Sequence, residues 1–223
     1  SFYQTWIFEE TLELRVVVKP LPPQKLNKRD HEIHCQIHEE KVKRIDTQVD
    51  NSAPSSLVTL LKTCSKLKDL HRGRKIHNEV IKKGFLDNSI YIGSSLVNMY
   101  AKCGALSEAQ NVFDKFPYRD VAFWNAIIAG YSLHGHGEEA LKCFERMQFD
   151  GFLPNPTTFV CILKACGSIG AVGKGLEIHS EIAKQGLIHQ NVLVANALVD
   201  MYSKCGALIN AQEVFDELSN RDV

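Results

Sequence analysis

Residues 54–121 recur at 156–223, displaced by 102 positions without a gap, and no other feature constrains this chain as much. VNMYAKCGALSEAQNVFDKF at 97–116 lies over VDMYSKCGALINAQEVFDEL at 199–218, and Ile76-His77 lies over Ile178-His179. Of the 68 aligned pairs 28 are identical, and 12 of the others exchange one apolar residue for another, so both copies must build the same core. A fixed period without insertions marks a stacked solenoid, in which each unit buries its apolar face only against its neighbours. Such arrays mostly bind extended partners and rarely carry a reaction centre.

The period is itself composite. VAFWNAIIAGY at 121–131 matches VLVANALVDMY at 192–202 and, more loosely, IYIGSSLVNMY at 90–100. Taken as equivalent starts, these divide the chain into units at 54–89, 90–120, 121–155, 156–191 and 192–222. Each unit reads as two helices. Phe123, Ile127, Ile128 and Tyr131 fall at helical spacing before Gly135 and Gly137. Ala140, Leu141, Phe144 and Met147 then make a second stripe, ended by Gly151 and Pro154. Sustained strand-like alternation is absent from the repeats, which predicts an all-α fold. First helices are expected near 55–67, 91–102, 122–133, 157–169 and 193–204. Phe113 and Phe215, equivalent second-helix residues, are each expected to wedge between hairpins.

Tetratricopeptide units would bring their own Trp, Leu-Gly and Pro pattern, which is missing. The repeats instead resemble the pentatricopeptide repeat family, in its plant subfamily that alternates standard, long and short units. DVAFWNAIIAGYSLHGHGEEALKCFERMQFDGFLPN carries the likeness for the standard unit, 121–155. PTTFVCILKACGSIGAVGKGLEIHSEIAKQGL carries it for the long units, 54–89 and 156–191, and NALVDMYSKCGALINAQEVFDEL for the short ones, 90–120 and 192–222. The resemblance implies an α-solenoid of helix hairpins wound as a right-handed superhelix, with the first helices lining its concave side.

Residues 1–53 stand apart from the repeats. The chain opens on Ser and runs one residue into a sixth unit, which reads as a fragment or partial gene model. Nine Asp and Glu against eight Lys and Arg do not make a targeting peptide, which is rich in Arg and Ser and poor in acids. ETLELRVVVK suggests a strand or short helix and 31–45 a charged helix, within a segment expected to have low order. His31, His34, Cys35 and His38 would share one helix face and are all competent zinc ligands. A single straight helix does not readily wrap four ligands round one ion, so no metal or other cofactor is expected.

Seven cysteines, an odd number at repeat positions, do not form a secreted disulfide framework. Cys64, Cys103, Cys166 and Cys205 read as small packing residues. Longer relatives in the subfamily can end in a cytidine-deaminase-like domain, whose zinc site needs His-x-Glu followed by Pro-Cys-x-x-Cys. His77-Asn78-Glu79, His136-Gly137-Glu138 and His179-Ser180-Glu181 spell the first element, but the chain has no Cys-x-x-Cys. Two of those three are one repeat position occurring twice. No catalytic residue is assigned, and the chain is not expected to be an enzyme.

Helical repeats of this kind read single-stranded RNA one base per unit with two or three side chains. The resemblance supplies the positions. The fifth residue meets the base edge, the last residue supports it, and an apolar second residue sandwiches the base. The fifth and last pairs are then Ser94/Asp120, Asn125/Asn155 and Asn196/Asp222, with Tyr91, Ala122 and Leu193 in second place. Asn offers donor and acceptor, Ser a hydroxyl and Asp an acceptor. Val58 and Val160 hold the fifth position of the long units and cannot hydrogen-bond a base, so those units read as spacers or partner-docking surface. By the family's pairing preferences the target becomes 5′-n-G-(C/U)-n-U-3′. The implied role is selecting sites for organelle RNA modification, chiefly C-to-U editing, or processing, in mitochondrion or chloroplast and with possible protein partners of an editing complex. Zero net charge argues against binding by bulk electrostatics. The alternative is a scaffold for an extended peptide or protein, which would not require three polar fifth positions.

Overall fold

A computed structural model describes residues 53–86 and 89–219, and among these every regular element is a helix. The readings made on residues 1–52, including the His31, His34, Cys35 and His38 face, lie outside the described residues, as does Asp222. The helices are α1 (Pro54–Leu67), α2 (Leu70–Lys82), α3 (Ile90–Lys102), α4 (Leu106–Lys115), α5 (Val121–Leu133) and α6 (Gly137–Phe149). They continue as α7 (Pro156–Ile169), α8 (Val172–Lys184), the short α9 (Leu187–Gln190), α10 (Val192–Lys204) and α11 (Leu208–Ser219).

Local chemistry explains several of the starts. Asp120 accepts the Phe123 N–H at 2.8 Å, which satisfies one of the free amides opening α5. Asn155 opens α7 with a reciprocal capping box to Thr158, followed by Pro156 in the first turn. The ends are equally local. Gly170 closes α7 in the left-handed region at φ 70°, and its equivalent after α1 is Lys68 at φ 53°. A lysine there carries the Cβ strain that glycine avoids.

The helices pack in two layers. Helices α1, α3, α5, α7 and α10 stack each on the next, forming a continuous inner row. Each of α2, α4, α6 and α8 packs on its own first helix and on the first helix of the following hairpin, and α11 packs on α10. The fold is an α-solenoid. Its core lies between the layers: Leu57, Leu61, Ile92, Leu96, Phe123, Trp124, Ile127, Phe159, Ile162, Leu198 and Tyr202 are all buried.

Contacts between hairpins repeat with the sequence. His77 Nδ1 lies 2.8 Å from the Tyr100 hydroxyl, and His179 Nδ1 lies 2.8 Å from that of Tyr202. Cys103 Sγ approaches the Cys64 carbonyl at 3.9 Å, and Cys205 Sγ that of Cys166 at 3.8 Å. Cys64 and Cys166 are buried, as expected, whereas Cys103 and Cys205 are only half-buried, because they stand on the helix ends. Phe215 departs from expectation too. It does not fill a closed wedge as Phe113 does but is 56% exposed, because no following first helix covers it among the described residues.

Candidate nucleic-acid interface

On α3, α5 and α10 the sequence-predicted second positions are exposed, and the fifth positions stand one turn along the same helix. Second and fifth positions of a helix are three residues apart and share a face. Tyr91 and Leu193 are well exposed, as is the small Ala122, although large apolar side chains ordinarily avoid water. Asn196 is exposed, and Ser94 and Asn125 are half-buried beside their second-position neighbours. Val58 and Val160 occupy the matching places on α1 and α7 and are half-buried.

The two polar pairs within the described residues differ in how they are joined. Asn125 Nδ2 donates to Asn155 Oδ1 at 3.2 Å, so the fifth residue of one hairpin touches the residue that opens the next. Thr158 completes this cluster. Its hydroxyl lies 2.6 Å from Asn125 Oδ1 and accepts the Asn155 N–H at 3.1 Å, and its own N–H donates to Asn155 Oδ1 at 3.0 Å. Thr158 is completely buried, one of two buried polar side chains among the described residues. Sequence reasoning passed over it. The available signal was a polar residue in third place, shared with Ser56 of the other long unit, where the short and standard units have Ile92, Phe123 and Val194.

Ser94 and Asp120 are not brought together by a hydrogen bond of this kind. The Ser94 hydroxyl donates to the Tyr91 carbonyl at 3.2 Å, while Asp120 serves as the cap of α5. For Asn196 the partner position, Asp222, is outside the described residues. Asn191, last residue of the preceding unit, caps α10 by accepting the N–H groups of Leu193 and Val194.

His77 and His179, two of the three His-x-Glu histidines, are held by tyrosines between hairpins, and burial lowers the pKa of both. Burial pushes the thiols of Cys143, Cys161 and Cys166 up to about 11, which keeps them protonated and unreactive near neutrality. Among the described residues no three His, Cys, Asp or Glu side chains could hold a metal ion together. No described helix is long and apolar enough to cross a membrane. The first hairpin carries exposed Lys62, Lys75 and Lys82 on its surface, while Arg74 is drawn into an ion pair with Glu108 of α4.

Comparison with known proteins agrees with this architecture. The model of the PPR repeat family matches residues 119–168, and that of the PPR repeat matches 94–121 and 194–223. A chloroplastic pentatricopeptide repeat-containing protein of Arabidopsis thaliana is 40% identical over 168 residues, 75% of this chain and 27% of that protein. A mitochondrial one from the same plant is 38% identical over 164 residues, 74% and 23% of the two chains. The chain thus spans about a quarter of the length of these relatives. Among solved structures, the pentatricopeptide repeat protein PPR10 in complex with an 18-nt psaJ RNA element superposes with a TM-score of 0.64 at 18% identity, over 76% of this chain and 25% of that one. PPR10 from maize superposes with a TM-score of 0.59 at 20% identity, over 86% and 27%. Repeat-model matches, plant relatives and a shared solenoid converge: this chain belongs to the pentatricopeptide repeat family.

Proposed function

We propose that this array binds single-stranded RNA, one base per unit, through Ser94/Asp120, Asn125/Asn155 and Asn196/Asp222. Tyr91, Ala122 and Leu193 sandwich the bases, and the two valine-bearing units act as spacers. The observation that carries the reading is the pairing of exposed apolar second positions with polar fifth positions on α3, α5 and α10, with Asn125 hydrogen-bonded to Asn155. Stacking platforms flanked by fixed donors and acceptors suit unpaired bases, whose edges and faces are both free. Membership of the family and the solved complex of PPR10 with an 18-nt RNA element support the same partner. Names of chloroplastic and mitochondrial relatives support an organellar setting, where the array would select sites for C-to-U editing or for RNA processing.

The preferred target is 5′-n-G-(C/U)-n-U-3′, and binding by three reading units with no net charge is weak but specific. A gel-shift titration against this RNA, scrambled RNA and the corresponding DNA tests the reading. Asn196→Thr, with Asp222 retained, shifts the preferred final base from uracil to guanine by roughly 1–3 kcal/mol of discrimination. Equal affinity for RNA and DNA, or a preference unmoved by the swap, contradicts the assignment.

A further inference from the structure

The hydrogen bonds around Thr158 determine which way round the Asn125 amide sits. A threonine hydroxyl has one proton to give and two lone pairs. One lone pair takes the Asn155 N–H at 3.1 Å. The proton has two acceptors in reach, Asn125 Oδ1 at 2.6 Å and Asn155 Oδ1 at 3.1 Å. Asn155 Oδ1 already accepts the Thr158 N–H at 3.0 Å and the Asn125 Nδ2–H at 3.2 Å, which fills its two lone pairs. The hydroxyl proton therefore goes to Asn125 Oδ1. Turning the Asn125 amide over would place its oxygen against Asn155 Oδ1, acceptor facing acceptor. Thr158 is fully buried, so water does not compete for its hydroxyl.

We propose that Thr158 is a positioning residue that makes the unit 121–155 distinguish cytosine from uracil by locking the orientation of Asn125. The proposal rests on the reading that Asn125 meets a base edge. Cytosine presents an N4–H donor beside the N3 acceptor, and uracil an O4 acceptor beside the N3–H donor. The bonds above leave Asn125 one N–H and one lone pair, and this pair matches either pyrimidine, but in opposite orientations. A locked amide facing a base held by stacking favours one of them; an amide free to turn accepts both. Ile92, Phe123 and Val194, the third residues of neighbouring units, have no hydroxyl with which to do this.

The test uses the whole chain and short single-stranded RNAs that differ only by cytosine or uracil at each position in turn. Wild type and Thr158→Ser separate the two pyrimidines at the position opposite the unit 121–155 by roughly fivefold or more. Thr158→Val, which keeps the shape and loses the donor, brings the ratio within about twofold, with a cooperative melt showing that it folds. A Thr158→Val ratio equal to wild type overturns the proposal, as does a wild type that never separates the pyrimidines. Asn125→Ala separates this from failure of the base-reading assignment: a preference that survives that change means Asn125 does not meet the base. Proton exchange at the Asn125 side-chain amide, followed by NMR in the RNA-free protein, tests the lock without relying on a variant. Exchange slower than at the exposed Asn111 supports it, and equal exchange overturns it.

Discussion

The hairpins at 90–116 and 192–218 are one design built twice, and they differ most in what covers the outer phenylalanine. Phe113 is 1% exposed, with the rings of Phe123 and Trp124 at 5.4 and 4.8 Å and the Arg119 guanidinium at 4.7 Å over its face. Phe215, at the equivalent repeat position, is 56% exposed. A unit in such an array therefore completes its core only when the next first helix arrives, and identical residues can differ severalfold in what they contribute. Phe113→Ala should cost about 3–5 kcal/mol, the usual loss for a buried phenylalanine. Phe215→Ala should cost about 1 kcal/mol, near the level of surface changes. Denaturant melts of the two variants measure this directly, and equal losses would break the comparison.

A finer contrast lies inside the same two hairpins. Gly93 approaches the Phe116 ring so closely that an added Cβ would meet its carbons at 2.4–2.7 Å. At the corresponding places the other copy has Ala195, fully buried, and Leu218. A larger ring thus faces a missing methyl in one copy, and a smaller side chain accompanies a methyl in the other. Gly93→Ala should destabilise by about 1–3 kcal/mol through overpacking. Adding Phe116→Leu should recover part of that loss, giving a favourable coupling of about 1 kcal/mol in a double-mutant cycle. Additive losses would mean that the sizes are not matched across the pair.

The smallest difference concerns charge at the His–Tyr contacts. Burial lowers the pKa of His77, and the neighbouring Lys115 lowers it further. Burial also lowers that of His179, but there Glu217 and Glu213 oppose the change. A histidine with a depressed folded pKa contributes fully above its ordinary value of 6.5. That contribution fades as pH falls below this value, because the unfolded chain then binds the proton more readily. Melting temperature should drop between about pH 7.5 and pH 5.5, with His77→Gln removing more of the drop than His179→Gln. The opposite ranking would mean that the glutamates do not govern the second site.

Hairpin order and helix type were readable because they depend on local signals: apolar spacing, Gly and Pro punctuation, and caps such as Asp120 and Asn155. The expected first helices each began one residue inside the observed ones; at two of them Pro54 and Pro156 already occupy the first turn. Partnerships across units were harder. Thr158 looks like an ordinary capping residue until its hydroxyl is seen against Asn125, 33 positions earlier. Phe113 and Phe215 are the same repeat position, and only the structure distinguishes them, at 1% and 56% exposed. The His-x-Glu repeats were set aside as furniture of the fold, yet two of them supply one of its recurring polar bonds. The short α9 left no periodic trace, being a single turn held by the buried Ile188 after Gly186.

The packing of each hairpin on its immediate neighbours also has a kinetic consequence. His77 and Tyr100 are 23 residues apart in the chain, and Cys64 and Cys103 are 39 apart. Loops of that length close early and cheaply, so folding can begin at any adjacent pair of hairpins and spread in both directions. By the same logic opening can spread from hairpin to hairpin, and hydrogen exchange should report it as steps along the array rather than one global event. An array of this kind opens one unit at a time while the rest keeps its shape.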